Sequence, residues 1–123
     1  MQTFISTKEV KCNRGWGCGY VHIPKGHPIL VQLLGFENSY NYLQPDGCLQ
    51  EITLSEWDFS KGFYTIGFDT GHSWNDDSHD EDYVIQEVKK IKAIVDSYTD
   101  KDANDYALKA ITEVKDKFKE YLL

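Results

Sequence analysis

"GFYTIGFDTGHSWNDDSHDEDYVIQEVKKI", residues 62–91, changes its periodicity part-way along. Up to Phe68 the apolar residues alternate, with Tyr64, Ile66 and Phe68 on one face, as in a half-buried strand. From Val84 the spacing becomes helical: Val84, Val88, Ile91 and, beyond the quoted stretch, Val95 form one stripe. Asp80 or Asp82 can accept the first free backbone N–H groups of that helix. A strand, a polar connection and an amphipathic helix thus follow one another within thirty residues.

Upstream the chain reads as strands and turns. FISTKEVKC (4–12) and GYVHIP (19–24) have strand character, and Pro24 stops the second. PILVQLLGF (28–36) suits either a buried strand or a short helix. QPDGC (44–48) is a turn signal, and LQEITLSEW (49–57) alternates as a strand. Downstream, TDKDAND (99–105) offers a turn and fresh caps. A last helix then places Ala107, Ile111, Val114, Phe118 and Leu122 on one stripe. Strands first and helices last predict an α+β domain spanning 1–123, a mostly antiparallel sheet with two C-terminal helices packed on it.

The 123 residues carry a net charge of −7, unevenly distributed. Residues 1–68 hold five Lys/Arg against six Asp/Glu, a net of −1; residues 69–123 hold eight against fourteen, a net of −6. A phosphate backbone needs clustered cations, so nucleic acid is excluded as a partner. No apolar run approaches the ~20 residues of a membrane span. MQTFISTKEV lacks the basic head and apolar core of an export signal. With three cysteines, Cys12, Cys18 and Cys48, the expectation is an intracellular protein with reduced thiols.

Chemistry concentrates in two segments. In CNRGWGCGYVHIPKGHP (12–28), Cys12, Cys18, His22 and His27 are of zinc-ligand type, but their spacing follows none of the compact zinc patterns. A glycine-rich loop leading to buried thiols is one alternative. A ligand cradle is another: Gly17 and Gly19 bring backbone close, Arg14 (the only arginine) and Lys25 supply charge, and Trp16 or Tyr20 stacks on a base. In GFDTGH (67–72), Asp69 and His72 can face one point, to orient an imidazole, to contact ribose or base, or to close a turn around Gly71. The acids of WNDDSHDED (74–82) suit a loop and helix cap better than a calcium loop, whose pattern they do not follow. Neither a metal nor a cofactor is implied.

Taken together, "GYVHIPKGHP" (19–28), "IGFDTGH" (66–72) and the helix "VIQEVKKI" resemble a group of small tailed-phage and prophage proteins. Their pattern runs from a Gly-Tyr-Val strand into Pro-x-Gly-His-Pro, then His-Gly-Gly-Ile/Leu-Thr, then Gly-Phe-Asp-x-x-His. The likeness covers about residues 17–95. The middle motif departs: "LQEIT" (49–53) has Leu49 in the place of histidine and Gln50 and Glu51 in the place of the glycines.

Such small phage proteins include antagonists of host nucleotide-signal immunity. The resemblance implies a bacteriophage anti-defence protein of the host cytoplasm that sequesters a small nucleotide ligand. That ligand would be a cyclic ADP-ribose variant or a cyclic dinucleotide, held by a homo-oligomer through Arg14, Trp16, Gly17, Gly19, Tyr20, Lys25, His27, Asp69, His72 and Trp74. The alternative is a phosphodiesterase that cleaves the signal with His27 and His72 as acid and base and Asp69 orienting one of them. Loss of the middle histidine weakens that alternative.

Overall fold

The computed structural model describes residues 2–34, 52, 54–58 and 61–122. Four strands, β1 (Phe4–Glu9), β2 (Gly17–Pro24), β3 (Leu54–Asp58) and β4 (Phe63–Asp69), form one sheet in the order β1-β2-β4-β3. All three pairings are antiparallel. A short helix, α1 (Leu30–Leu33), follows β2, and the long helices α2 (Glu81–Ser97) and α3 (Asp100–Leu122) follow β4. The fold is α+β, as the order of periodicities predicts. No helix among the described residues is long and apolar enough to cross a membrane.

Alternation decides the two faces of the sheet. On β2, Val21 and Ile23 point to the core at 0% exposure, and on β4 Tyr64, Ile66 and Phe68 do the same. The α2 stripe of Val84, Val88, Ile91 and Val95 closes over them, also fully buried. Each such side chain removed from water contributes about 1.5–3 kcal/mol, so this layer is the main source of stability. Gly19 permits it, because a β-carbon there would lie 3.0 Å from the Phe68 ring and 3.2 Å from Val88. Asp80 is the α2 N-cap, accepting from the Tyr83 N–H at 2.9 Å.

Several boundaries differ from the sequence reading. β1 ends at Glu9, where the chain turns, and β2 begins two residues early because Gly17 pairs with Glu9. The ambiguous 28–36 run is helical over Leu30–Leu33, and its last two residues lie outside the described residues, as does the QPDGC turn. Tyr98 and Thr99 alone separate α2 from α3. There Thr99 and Asp102 cap each other's backbone: Thr99 N–H donates to Asp102 Oδ2 at 2.8 Å and Asp102 N–H to Thr99 Oγ1 at 3.3 Å.

The stripe expected to be covered on α3 is instead exposed. Among the described side chains of α3 only Ala103, in its first turns, is buried, beside α1; Ala107 is half-buried, Ile111 and Val114 are each 52% exposed and Phe118 61%, and the Leu122 side chain lies outside those described.

Candidate functional site

β2 and β4 pair so that Cys18 faces Asp69 at one end of the sheet and Pro24 faces Phe63 at the other. Six residue steps of about 3.3 Å separate the ends, about 20 Å. The two motifs therefore occupy opposite ends of the molecule. Lys25 and His27 follow Pro24, whereas Arg14, Asp69, His72 and Trp74 gather where β4 ends. One chain does not bring His27 to His72, so the pair envisaged for acid–base catalysis is not assembled within it.

At the His27 end the polar groups are already engaged. His27 Nδ1 accepts the Ile29 N–H at 3.1 Å, which places the proton of the neutral ring on Nε2. Burial holds the His27 pKa below the ordinary histidine value, against the pull of Asp96 and Asp100. Beside it, Thr3 donates to Asp96, and Lys92 also donates to Asp96. Asp96 stays below the usual carboxylate range: burial opposes ionisation, but the bonds from Lys92 and Thr3 outweigh it. Lys25 is exposed, and its N–H donates to the Gly62 carbonyl.

The other end is a loop of successive side-chain-to-backbone turns. Asp69 Oδ2 accepts the Gly71 N–H at 3.2 Å, and its Oδ1 lies 3.2 Å from His72 Nε2. Asn75 Oδ1 accepts the His72 N–H at 2.9 Å, and Asp76 Oδ1 accepts the Ser78 N–H at 2.8 Å. These turns set rings against one another in series. His72 stacks parallel to Trp74 with centroids 5.8 Å apart; His79 meets the Trp74 edge at 5.7 Å and Tyr83 at 4.7 Å. Trp74 remains 46% exposed. Arg14 reaches across from the β1–β2 loop, its Nη1 donating to the Ser73 carbonyl at 3.4 Å, which is close to the limit for a hydrogen bond.

Two buried amides at this end are unsatisfied. Asn13 Nδ2 and Asn75 Nδ2 have no hydrogen-bond partner, although Asn75 is 3% exposed. A buried donor left unpaired costs about 1–3 kcal/mol, and of the two only Asn13 lines the adjoining pocket. Asn13 and Arg14 line a small pocket of about 210 Å³ together with Gly15, Trp16, Asp77 and Asp80. Its lining offers donors from Asn13 and Arg14 and carboxylates from Asp77 and Asp80.

The remaining candidates have other surroundings. Gly17 and Gly19 are packing positions. A β-carbon on Gly17 would stand 2.0 Å from the Lys8 carbonyl oxygen, and its own N–H and C=O are bonded to Thr70. Neither glycine presents free backbone to a phosphate. Trp16 packs on the core and its backbone N–H donates to the His79 carbonyl at 2.8 Å, whereas Trp74 is exposed and the better placed ring.

Tyr20 stands mid-sheet on the face turned away from α2, over Gly67. Its pKa is pushed up to about 12 by burial, with Cys18 and Asp69 adding to it, so the phenol keeps its proton. Cys48 and Leu49–Glu51 lie outside the described residues.

Sequence reasoning missed several residues that the structure assembles. On the face away from α2, His22 sits between two hydroxyls, with Ser6 Oγ 2.7 Å from Nε2 and Thr65 Oγ1 2.8 Å from Nδ1, while Phe4 stacks on the ring. Burial, then Lys61, lowers the His22 pKa. Strand alternation could have put Ser6, His22 and Thr65 on one face, but only the pairing register makes them neighbours. Asn13, Asn75 and His79 carry no signal in the sequence, because their roles come from the loop's turns. No protein-family model, curated protein or solved structure matches the chain.

Proposed function

We propose that the chain binds and sequesters a small nucleotide-derived signal, a cyclic ADP-ribose variant or cyclic dinucleotide, at the loop end formed by residues 13–16 and 69–80. The observation that carries this reading is the unpartnered amide donor of Asn13, in a pocket it lines with Arg14 and Asp77, beside an exposed Trp74. Such a ligand has acceptors for the amide and the guanidinium, ribose hydroxyls for Asp77, and a planar base for the indole. The messenger role, the phage setting and the host cytoplasm rest on the resemblance of GYVHIPKGHP and IGFDTGH, and a homo-oligomer belongs to the same reading.

Binding is favoured over cleavage. His27 and His72 stand at opposite ends of the sheet, about 20 Å apart along the strands. A general acid and base must both lie within hydrogen-bond reach of one scissile group.

The test is to incubate the protein with a panel of nucleotide messengers, remove free ligand, denature by heat and separate the released molecules by HPLC. A sequestering protein returns its ligand intact; a phosphodiesterase returns products. If His72→Ala took up as much ligand as the unsubstituted chain, the site assignment would be wrong.

A further inference from the structure

On the sheet face turned away from α2, the strand register sets three side chains in one line of hydrogen bonds. Phe4 of β1 pairs with His22 of β2, and His22 pairs with Thr65 of β4. Ser6 Oγ, two residues along β1, lies 2.7 Å from His22 Nε2, and Thr65 Oγ1 lies 2.8 Å from Nδ1. Phe4 stacks on the imidazole with centroids 4.5 Å apart and meets Phe63 edge-on at 5.0 Å. The imidazole is therefore held at both nitrogens and on one face. Thr65 is four residue steps along β4 from Asp69, about 13 Å, so this line of groups is separate from the ligand site.

A neutral imidazole carries one proton, so one hydroxyl donates to the ring and the other accepts from it. The two hydroxyls are not equivalent. Thr65 is β-branched and stiff, and its strand lies between β2 and β3. Ser6 is a primary alcohol on the edge strand β1, which has β2 on one side only. The outer position is the one a substrate can approach, and Phe4, 45% exposed, gives it an apolar wall. With the ring proton on Nδ1 and donated to Thr65, Nε2 accepts the Ser6 proton. That is the arrangement of a serine nucleophile with its base. Burial, then Lys61, keeps the His22 pKa below the ordinary value, so the ring is neutral and able to accept above about pH 6.5. The Lys61 charge that acts on His22 also offsets negative charge developing beside the ring.

We propose that Ser6 is an acyl-accepting nucleophile, with His22 as its general base and Thr65 as a positioning residue, acting on small carboxylic esters with an apolar acyl group. Ser6 Oγ bonds to the ester carbonyl carbon as its proton passes to His22 Nε2. The bond from that carbon to the alkoxy oxygen then breaks, and the leaving oxygen takes the proton from Nε2. Water next attacks the acyl-serine and gives a proton to Nε2. His22 returns that proton to Ser6 Oγ as the carboxylic acid leaves. Thr65 holds the imidazole in the tautomer that leaves Nε2 free to accept. Nucleotide uptake at the loop end does not depend on this reaction, and the test reads a covalent bond at Ser6.

Diisopropyl fluorophosphate is the probe: the serine oxygen bonds to phosphorus, fluoride leaves, and His22 takes the serine proton. Intact mass spectrometry of the full chain is expected to show one diisopropylphosphoryl group per chain. Tandem spectra of the tryptic peptide 1–8 should place it on Ser6. Ser6→Ala removes one oxygen from a half-buried position of an edge strand, so the fold stays and the label is lost. His22→Gln should slow labelling by about a hundredfold or more, as loss of a general base does. Thr65→Val should slow it about fivefold, the worth of one neutral hydrogen bond, and Thr65→Ser should restore it. Hydrolysis of p-nitrophenyl butyrate should rank these chains in the same order, with circular dichroism read on each. An unlabelled chain, a label on Tyr20 or any residue other than Ser6, or labelling that survives Ser6→Ala would overturn the proposal. So would an unchanged rate in His22→Gln, or a Thr65→Ser chain no faster than Thr65→Val.

Discussion

Helices α2 and α3 carry apolar stripes of nearly the same spacing, yet Val84, Val88, Ile91 and Val95 are 0–1% exposed, whereas Ile111, Val114 and Phe118 are 52–61% exposed. Both helices are capped by side chains, α2 through Asp80 and α3 through Thr99 with Asp102. They differ in what lies opposite. α2 faces the apolar side of β2 and β4, while α3 departs after its first turns beside α1. A periodic stripe specifies that a helix forms and which side wants cover. It does not specify whether the cover comes from the same chain.

Truncating one isoleucine in each helix gives the largest expected difference between them. Ile91→Ala should lower the unfolding free energy by about 2–5 kcal/mol, because the cavity forms in a packed layer. Ile111→Ala should change it by no more than about 0.5 kcal/mol in urea titrations run dilute enough to separate subunits. Equal losses would mean that the chain itself covers α3.

Gly19→Val comes next, at about 1–3 kcal/mol, because its side chain meets Phe68 and Val88 where α2 rests on β2. A neutral result would show that α2 can lift from the sheet. Removing a cap costs about 1 kcal/mol in either helix. Asp80→Ala should shift the main thermal transition, whereas Thr99→Ala should reduce helical circular dichroism with a smaller shift in that transition.

A gentler effect is that of pH. His22 and His27 both have folded pKa values below the ordinary 6.5, chiefly from burial. The folded state therefore resists protonation where the unfolded chain accepts it. Stability is full above about pH 6.5 and declines as pH falls below it. His22→Gln should flatten that decline in a stability–pH profile; an unchanged slope would show that His22 does not contribute.

Legibility from sequence followed locality. The Tyr64–Ile66–Phe68 alternation and the Val84–Val95 stripe are local patterns, and the structure contains both as read. The Asp80 cap is equally local. The relation between the GHP and GFD motifs is not, because it depends on which residues of β2 and β4 face each other. Cys18 opposite Asp69 and Pro24 opposite Phe63 is a register that neither strand encodes alone. The same holds for Ser6, His22 and Thr65, which come from three strands. Gly17 and Gly19 illustrate a second difficulty. Glycine marks close backbone approach, and here the approaching groups are the Lys8 carbonyl and the Val88 side chain, not a ligand.

Residues 13–16 and 69–82 of the loop end are also acidic, with one cation, Arg14, among Asp69, Asp76, Asp77, Asp80, Glu81 and Asp82. An anionic ligand there should bind somewhat more tightly as salt screens those carboxylates. That is the reverse of the trend for a cationic cleft, and calorimetry at two ionic strengths reads it.

The most direct measurement compares the two ends of the sheet for ligand uptake. Heat-release HPLC on the messenger panel would be run with Arg14→Ala, Trp74→Ala, Lys25→Ala and His27→Ala beside the unsubstituted chain. Arg14 and Trp74 are exposed, so their removal should leave the fold intact. A site at the loop end predicts that the first two substitutions abolish uptake and the last two retain it. Uptake lost with Lys25 or His27 and kept without Arg14 and Trp74 would contradict it, as would an unsubstituted chain that takes up none of the panel.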